Sequence, residues 1–140
     1  MTTQMRLDTL TKLSESDLVL ANSDEDIRGR TLRDTNDEEI GSVDDLMIDA
    51  DQRKVRFLLV GAGGFLGIGE KQFLIPVDAV TRIDDDNVWI NQNKSKIIGS
   101  PNYQPDLVNE NYYNDLYGYY GYSPYWTPGY TYPPYPNYRR

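Results

Sequence analysis

The sequence contains neither cysteine nor histidine. Without a thiol there is no disulfide framework, no thiolate metal site and no cysteine nucleophile. Without an imidazole, the commonest general base and the commonest transition-metal ligand are both missing. Basic charge is scarce as well: 14 Lys and Arg stand against 22 Asp and Glu, a formal net charge of −8. That balance works against broad attraction to nucleic acid or anionic membranes, both of which favour clustered Lys and Arg. No segment approaches the roughly 20 apolar residues of a membrane-spanning helix. In the first residues Arg6, Asp8, Lys12 and Glu15 interrupt the leucines, so the unbroken apolar core of a secretory signal is missing and the sequence reads as cytoplasmic. A length of 140 residues suits one domain with an appendage rather than two domains.

What is present divides into three parts: an N-terminal segment over 1–21, a β domain over 22–98 and a tail over 99–140. In the first, Leu7, Leu10 and Leu13 recur at three-residue spacing, which suits either one short amphipathic turn of helix or a frayed terminus. From Asp26 onward short apolar runs alternate with turn-forming Asp, Asn and Gly. Strands are predicted over Ile27–Leu32, Glu39–Ile48, Val55–Val60 and Gln72–Pro76, then over Val80–Ile83 and Val88–Ile90 as a closing hairpin. Asp34 to Asp37, Asp49 to Gln52 and Asp84 to Asn87 make the turns, their short side chains bonding locally. In the second strand Ile40, Leu46 and Ile48 share one parity and Val43 and Met47 the other, so a bulge or bend is expected near Gly41 or Asp44. Val55–Val60 is the most strand-like run, and its continuous apolar end suggests a central position. Roughly six short strands with no helical period between them fit a small closed barrel or sandwich better than an α/β sheet.

The tail is a different polymer. All 12 tyrosines and seven of the eight prolines lie between Ser100 and Arg140. Its glycines and prolines are expected to prevent a long helix or strand. It reads either as a low-complexity disordered segment or as an adhesive one, because Tyr and Trp offer large contact area with a polar tip. The second reading is favoured, since the tail is too apolar for a typical charged disordered segment; its target would be its own barrel or a second subunit.

Several patterns invite a chemical reading. The stretch from Gly61 to Gly69 places five glycines around Phe65, Leu66 and Ile68. A phosphate loop does not fit, because a dinucleotide fingerprint needs its third glycine where Leu66 stands and no Gly-Lys-Ser/Thr follows. Asp44-Asp45, Asp49 with Asp51, and Asp84-Asp85-Asp86 lack the glycine and distal glutamate of a calcium loop, so solvated turns and strand faces explain them better. Arg53, Lys54 and Arg56 form the densest basic patch of the domain, but Asp49 and Asp51 dilute it and the aromatics sit mainly in a tail with almost no basic charge, so nucleic-acid binding is not expected.

Taken together, Ile27-Arg28-Gly29-Arg30-Thr31-Leu32, Glu39 through Asp49, Val55 through Val60 and Phe73-Leu74-Ile75-Pro76-Val77-Asp78-Ala79-Val80 resemble the PRC-barrel family. That family is shared by the cytoplasmic domain of the photosynthetic reaction-centre H subunit and by a ribosome-maturation factor. The stretch from Gly63 to Lys71 is similar to that of stand-alone bacterial members. The resemblance covers residues 22–98 and implies an all-β, six-stranded antiparallel PRC-type barrel that serves as a docking module. It also implies that Gly41 permits the bend of the second strand and that Pro76 ends the fourth, and it carries over no catalytic residue.

The expectation is therefore a non-enzymatic scaffold or protein-interaction module, with no cofactor and no metal. It would self-associate, with a dimer as the leading state, or dock on a protein partner. Phe65, Leu66 and Ile68 of the loop and Tyr119, Tyr120, Tyr122, Tyr125 and Trp126 of the tail are the expected interaction residues. The alternative is an assembly factor for a ribonucleoprotein such as the ribosome, or an accessory subunit of a membrane electron-transfer complex.

Overall fold

The computed structural model describes residues 10–17, 19–20, 22–61, 71–105 and 109–136. Its strands are β1 (Leu10–Lys12), β2 (Thr31–Arg33), β3 (Glu39–Asp49), β4 (Lys54–Gly61), β5 (Gln72–Pro76), β6 (Val80–Ile83) and β7 (Asn87–Ile90). Two helices follow, α1 (Lys94–Ile98) and α2 (Glu110–Tyr120). The strands form one curled sheet in the order β5-β4-β3-β2-β7-β6, with β1 added to β3.

The six-stranded, closed, antiparallel barrel needs three corrections. Among the described residues there are seven strands, β2 runs parallel to β7, and the path ends at β5 and β6 without pairing them. The missing link between β5 and β6 is covalent: a 3-10 turn, Val77–Ala79, carries the chain straight from one to the other. The seventh strand comes from the N-terminal segment. Leu10 does not join a helix; it opens β1, which lies along the second half of β3, and only Leu13–Glu15 makes a 3-10 turn. Ser14 fixes that turn by donating its backbone N–H and its hydroxyl to the buried Asp45 carboxylate. The first predicted strand shortens to β2 because Gly29 turns the chain at φ 88°, leaving Ile27 to plug the core before the strand begins.

Elsewhere pattern and structure agree. The parity slip in β3 is a bulge at Asp44, since Val43 opposes Val60 and Asp45 opposes Leu59. Pro76 ends β5, an edge strand, where its missing N–H costs no ladder bond. β4 lies between β3 and β5, and every residue from Val55 to Val60 is buried. A strand reads as continuously apolar when both of its faces are covered. One face of β4 looks into the barrel core; the tail covers the other.

The expected exclusion of a long helix from the tail is overturned by α2, 11 residues long. The spacing explains it. Tyr113, Leu116, Tyr117 and Tyr120 fall at i, i+3, i+4 and i+7, and all four are buried. Among the described residues no helix is long and apolar enough to cross a membrane.

Candidate functional site

The site is the seam between β4, β5 and the C-terminal segment. Asn109 starts α2 by accepting the Tyr112 N–H on its side chain at 3.0 Å, and Glu110 adds an acidic group to the first turn. Gly121 stops the helix in the left-handed conformation at φ 84°, and Tyr122 N–H returns to Tyr117 O at 3.0 Å. This is a Schellman closure, and it turns residues 122–136 into a non-helical strap across the start of β4.

Aromatic rings make the apolar part of the seam. Phe57 of β4 meets Tyr113 and Tyr117 with ring centroids 5.3 and 5.2 Å apart. Trp126 stands edge-on to Tyr117 at 5.8 Å and to Tyr125 at 5.2 Å, extending the same cluster into the strap. Phenolic hydroxyls make the polar part. Tyr119 donates to Lys96 O at 2.6 Å, Tyr130 to Asp78 Oδ2 at 2.8 Å, Tyr132 to Val55 O at 2.9 Å, and Tyr135 to Glu25 O. Asn91 Nδ2 donates to the Tyr122 hydroxyl. β5 stops at Pro76, opposite Phe57, so the first residues of β4 run past its end. Tyr132 takes the place that another strand residue would fill.

A buried polar group lies beneath the rings. Met47 opposes Phe57 and Ile48 opposes Val55, so Arg56 is the extra residue of a bulge. Bulges re-aim side chains, and this one brings Arg56 to the seam beside Phe57. Arg56 is 3% exposed; it donates to Asp49 Oδ2 at 3.2 Å and Gln52 Oε1 at 2.7 Å, and its guanidinium lies 4.3 Å from the Tyr125 ring centre. Such a pairing stands in for part of the lost hydration of the cation, since Arg56 Nε is buried with no hydrogen-bond partner among the described residues. Asp78 in the Val77–Ala79 turn accepts from Tyr130, while its buried Oδ1 and the buried Tyr117 hydroxyl have no hydrogen-bond partner among the described residues. Burial pushes the Asp78 carboxyl above the usual carboxylate range, against the opposing pull of the Tyr130 hydrogen bond and of Arg56. Burial likewise raises the phenols of Tyr117 and Tyr130, and the neighbouring Asp78 carboxylate raises both further, so both stay protonated through neutral pH.

Of the expected interaction residues, Phe65, Leu66 and Ile68 lie outside the described residues. The other five sit in one continuous seam. Tyr120 is buried, whereas Tyr119, Tyr122, Tyr125 and Trp126 are half-buried, each packed against the core or bonded to it. In this single chain the described part of the tail packs on its own sheet. Sequence reasoning passed over Tyr113, Leu116, Tyr117, Arg56 and Asp78, which hold the centre of the seam. The helical spacing was a usable signal for the first three; no local pattern marks the other two. The basic patch is corrected too: Arg56 is interior, and the Lys54 ammonium lies 4.3 Å from the Tyr132 ring centre. The acidic groups act as local acceptors, Asp84 from the N–H groups of Asp86 and Asn87, and Asp49 from that of Asp51. Among the described residues, no three carboxylates gather as metal ligands.

The model of the PRC-barrel domain family matches residues 21–97, more than half of the chain and the whole of the curled sheet except β1. No curated protein matches the chain. The family match ends before α2, so the strap lies outside the family unit.

Proposed function

The chain belongs to the PRC-barrel domain family, and from that premise we propose that it is a non-enzymatic protein-interaction module whose barrel binds an aromatic segment punctuated by glycine and proline. The observation that carries this reading is the docked tail. A segment outside the family unit is held on β4 and β5 by rings against Phe57 and by tyrosine hydroxyls on the backbone carbonyls of Val55, Lys96 and Glu25. Bonds to backbone carbonyls select a geometry rather than a barrel sequence, and aromatic anchors carry most of the energy in interfaces of this kind. The chain's own strap is the resident occupant. A second copy's tail, or a partner segment of the same chemistry, is the occupant in trans.

The test compares the full chain with one ending at Ser100, by size exclusion with light scattering and by titration of a labelled peptide spanning 109–136. The expected result is capture of the peptide by the shortened chain, weak capture by the full chain whose site is filled, and loss of capture with Phe57→Ser. A shortened chain that keeps its β-sheet circular dichroism but takes up no peptide overturns the reading. A full chain that runs as a dimer and becomes monomeric on truncation places the tail in trans.

A further inference from the structure

We propose that Asp78 is a proton-operated latch for the strap: the strap docks over the neutral carboxyl and lifts when that carboxyl ionises. This rests on the reading of the strap as a displaceable occupant of the barrel.

The geometry sets the terms. Asp78 stands where the chain bridges the gap between β5 and β6, and the strap closes over it through Tyr130, whose hydroxyl is 2.8 Å from Oδ2. A buried carboxylate is well tolerated when several donors converge on it. Asp78 has the Tyr130 hydroxyl and its own backbone N–H, and its buried Oδ1 has no partner among the described residues. The titratable and charged groups facing it are Arg56 from β4, Tyr117 from α2 and Tyr130 from the strap. Arg56, itself paired with Asp49 of β3, draws the carboxyl down, but burial outweighs it. Both phenols stay neutral through the physiological range. Asp78 is therefore the group of this cluster that titrates.

When the strap lifts, water reaches the carboxyl and the upward push of burial is lost. The docked state holds the proton more tightly than the open one. Docking is thus fully favoured below the ordinary aspartate range and weakens as the pH rises through the raised value of the docked form. Inside that window one proton is released per opening, so the docking equilibrium changes by up to about tenfold per pH unit. A rise in pH frees the Val55 carbonyl and the start of β4 from Tyr132, and a fall covers them, while α2 stays on Phe57.

The experiment uses the full chain carrying Trp89→Phe, which leaves Trp126 as the only remaining tryptophan of the two. Trp126 emission and strap amide exchange, corrected for intrinsic rate, are followed from pH 4 to pH 9, with barrel amides as the control. The expected result is a one-proton transition in the strap and none in the barrel. Asp78→Asn keeps an acceptor for Tyr130 and cannot ionise; its strap should stay docked with no transition. A strap signal independent of pH, or the same transition in Asp78→Asn, overturns the latch. Peptide 122–136, the strap alone, added in trans separates the two readings. Opening with pH but no capture keeps the latch and removes the interaction module; capture equal at all pH values, with no strap transition, does the reverse.

Discussion

Tyr132 and Val55, 77 residues apart in sequence, are joined by a hydrogen bond of 2.9 Å from phenol to backbone carbonyl just beyond the point where β5 ends. Tyr132→Phe keeps the ring over Lys54 and removes only the donor. A hydrogen bond of this kind contributes about 0.5–1.5 kcal/mol net, so the strap should open roughly two- to tenfold more often. Amide exchange over residues 122–136 should accelerate by that factor while the centre of β4 is unchanged. Acceleration throughout the barrel would mean that strap and barrel unfold as one unit.

Tyr117 gives the opposite sign. Its ring is 1% exposed against Phe57 and Trp126, yet its hydroxyl has no hydrogen-bond partner among the described residues. A buried hydroxyl left unpaired costs about 1–3 kcal/mol. Tyr117→Phe, which preserves the packing, should therefore leave stability unchanged or raise it by up to that amount. Tyr117→Ala removes the packing and should cost about 3–5 kcal/mol. Urea unfolding of the two variants checks both, and a loss on Tyr117→Phe would show that the hydroxyl is satisfied in solution.

The glycines of the tail separate by position. Gly118 lies inside α2 with nothing within 4 Å of where a side-chain carbon would stand, so Gly118→Ala should stabilise the helix by about 0.5–1 kcal/mol. Gly121 has equally open space but sits at φ 84° in the helix stop, and Gly121→Ala should cost about 1–2 kcal/mol through backbone strain alone. Thermal melts of the pair should move in opposite directions. A shift of the same sign in both would mean that space, rather than backbone conformation, governs these sites.

Most of the sheet was legible because β3, β4 and β5 announce themselves by apolar runs bounded by turn residues, and the β6–β7 hairpin by its Asp-rich turn. Two things were not. The N-terminal leucines carry a weak helical spacing that the free edge of β3 overrides, since pairing with Asp49, Ile48 and Met47 offers more bonds than one isolated helical turn. In the tail, composition hid periodicity. Glycine and proline frequency over 40 residues argued against a helix, whereas the local order Tyr113, Leu116, Tyr117, Tyr120 between Asn109 and Gly121 argues for one.

The seam's polar centre was illegible for another reason. Arg56 alternates with apolar neighbours as a solvent-facing residue would, and its burial depends on a bulge that shifts the register between Met47 and Ile48. Asp78 reads as an ordinary turn carboxylate until the strap from 52 residues downstream closes over it. Both are products of long-range contact, and no window of sequence contains the partners together.

The pair of Arg56 and Asp49 supplies the sharpest test of that buried chemistry. Both side chains are nearly inaccessible, at 3% and 6%, and their charges face each other at 3.2 Å. Removing one partner strands the other, so Arg56→Met should cost about 3–5 kcal/mol, most of it from the uncompensated Asp49 carboxylate. Asp49→Asn retains an acceptor for the Asp51 N–H, and the double variant Arg56→Met/Asp49→Asn should recover most of the loss, because an apolar side chain of similar length still packs under Tyr125. A double-mutant cycle by urea unfolding reads the coupling directly. If the double variant is as unstable as Arg56→Met alone, the cost lies in the stacking of the guanidinium on Tyr125 rather than in the ion pair. The strap would then be held to β4 by cation and ring, with Asp49 a bystander.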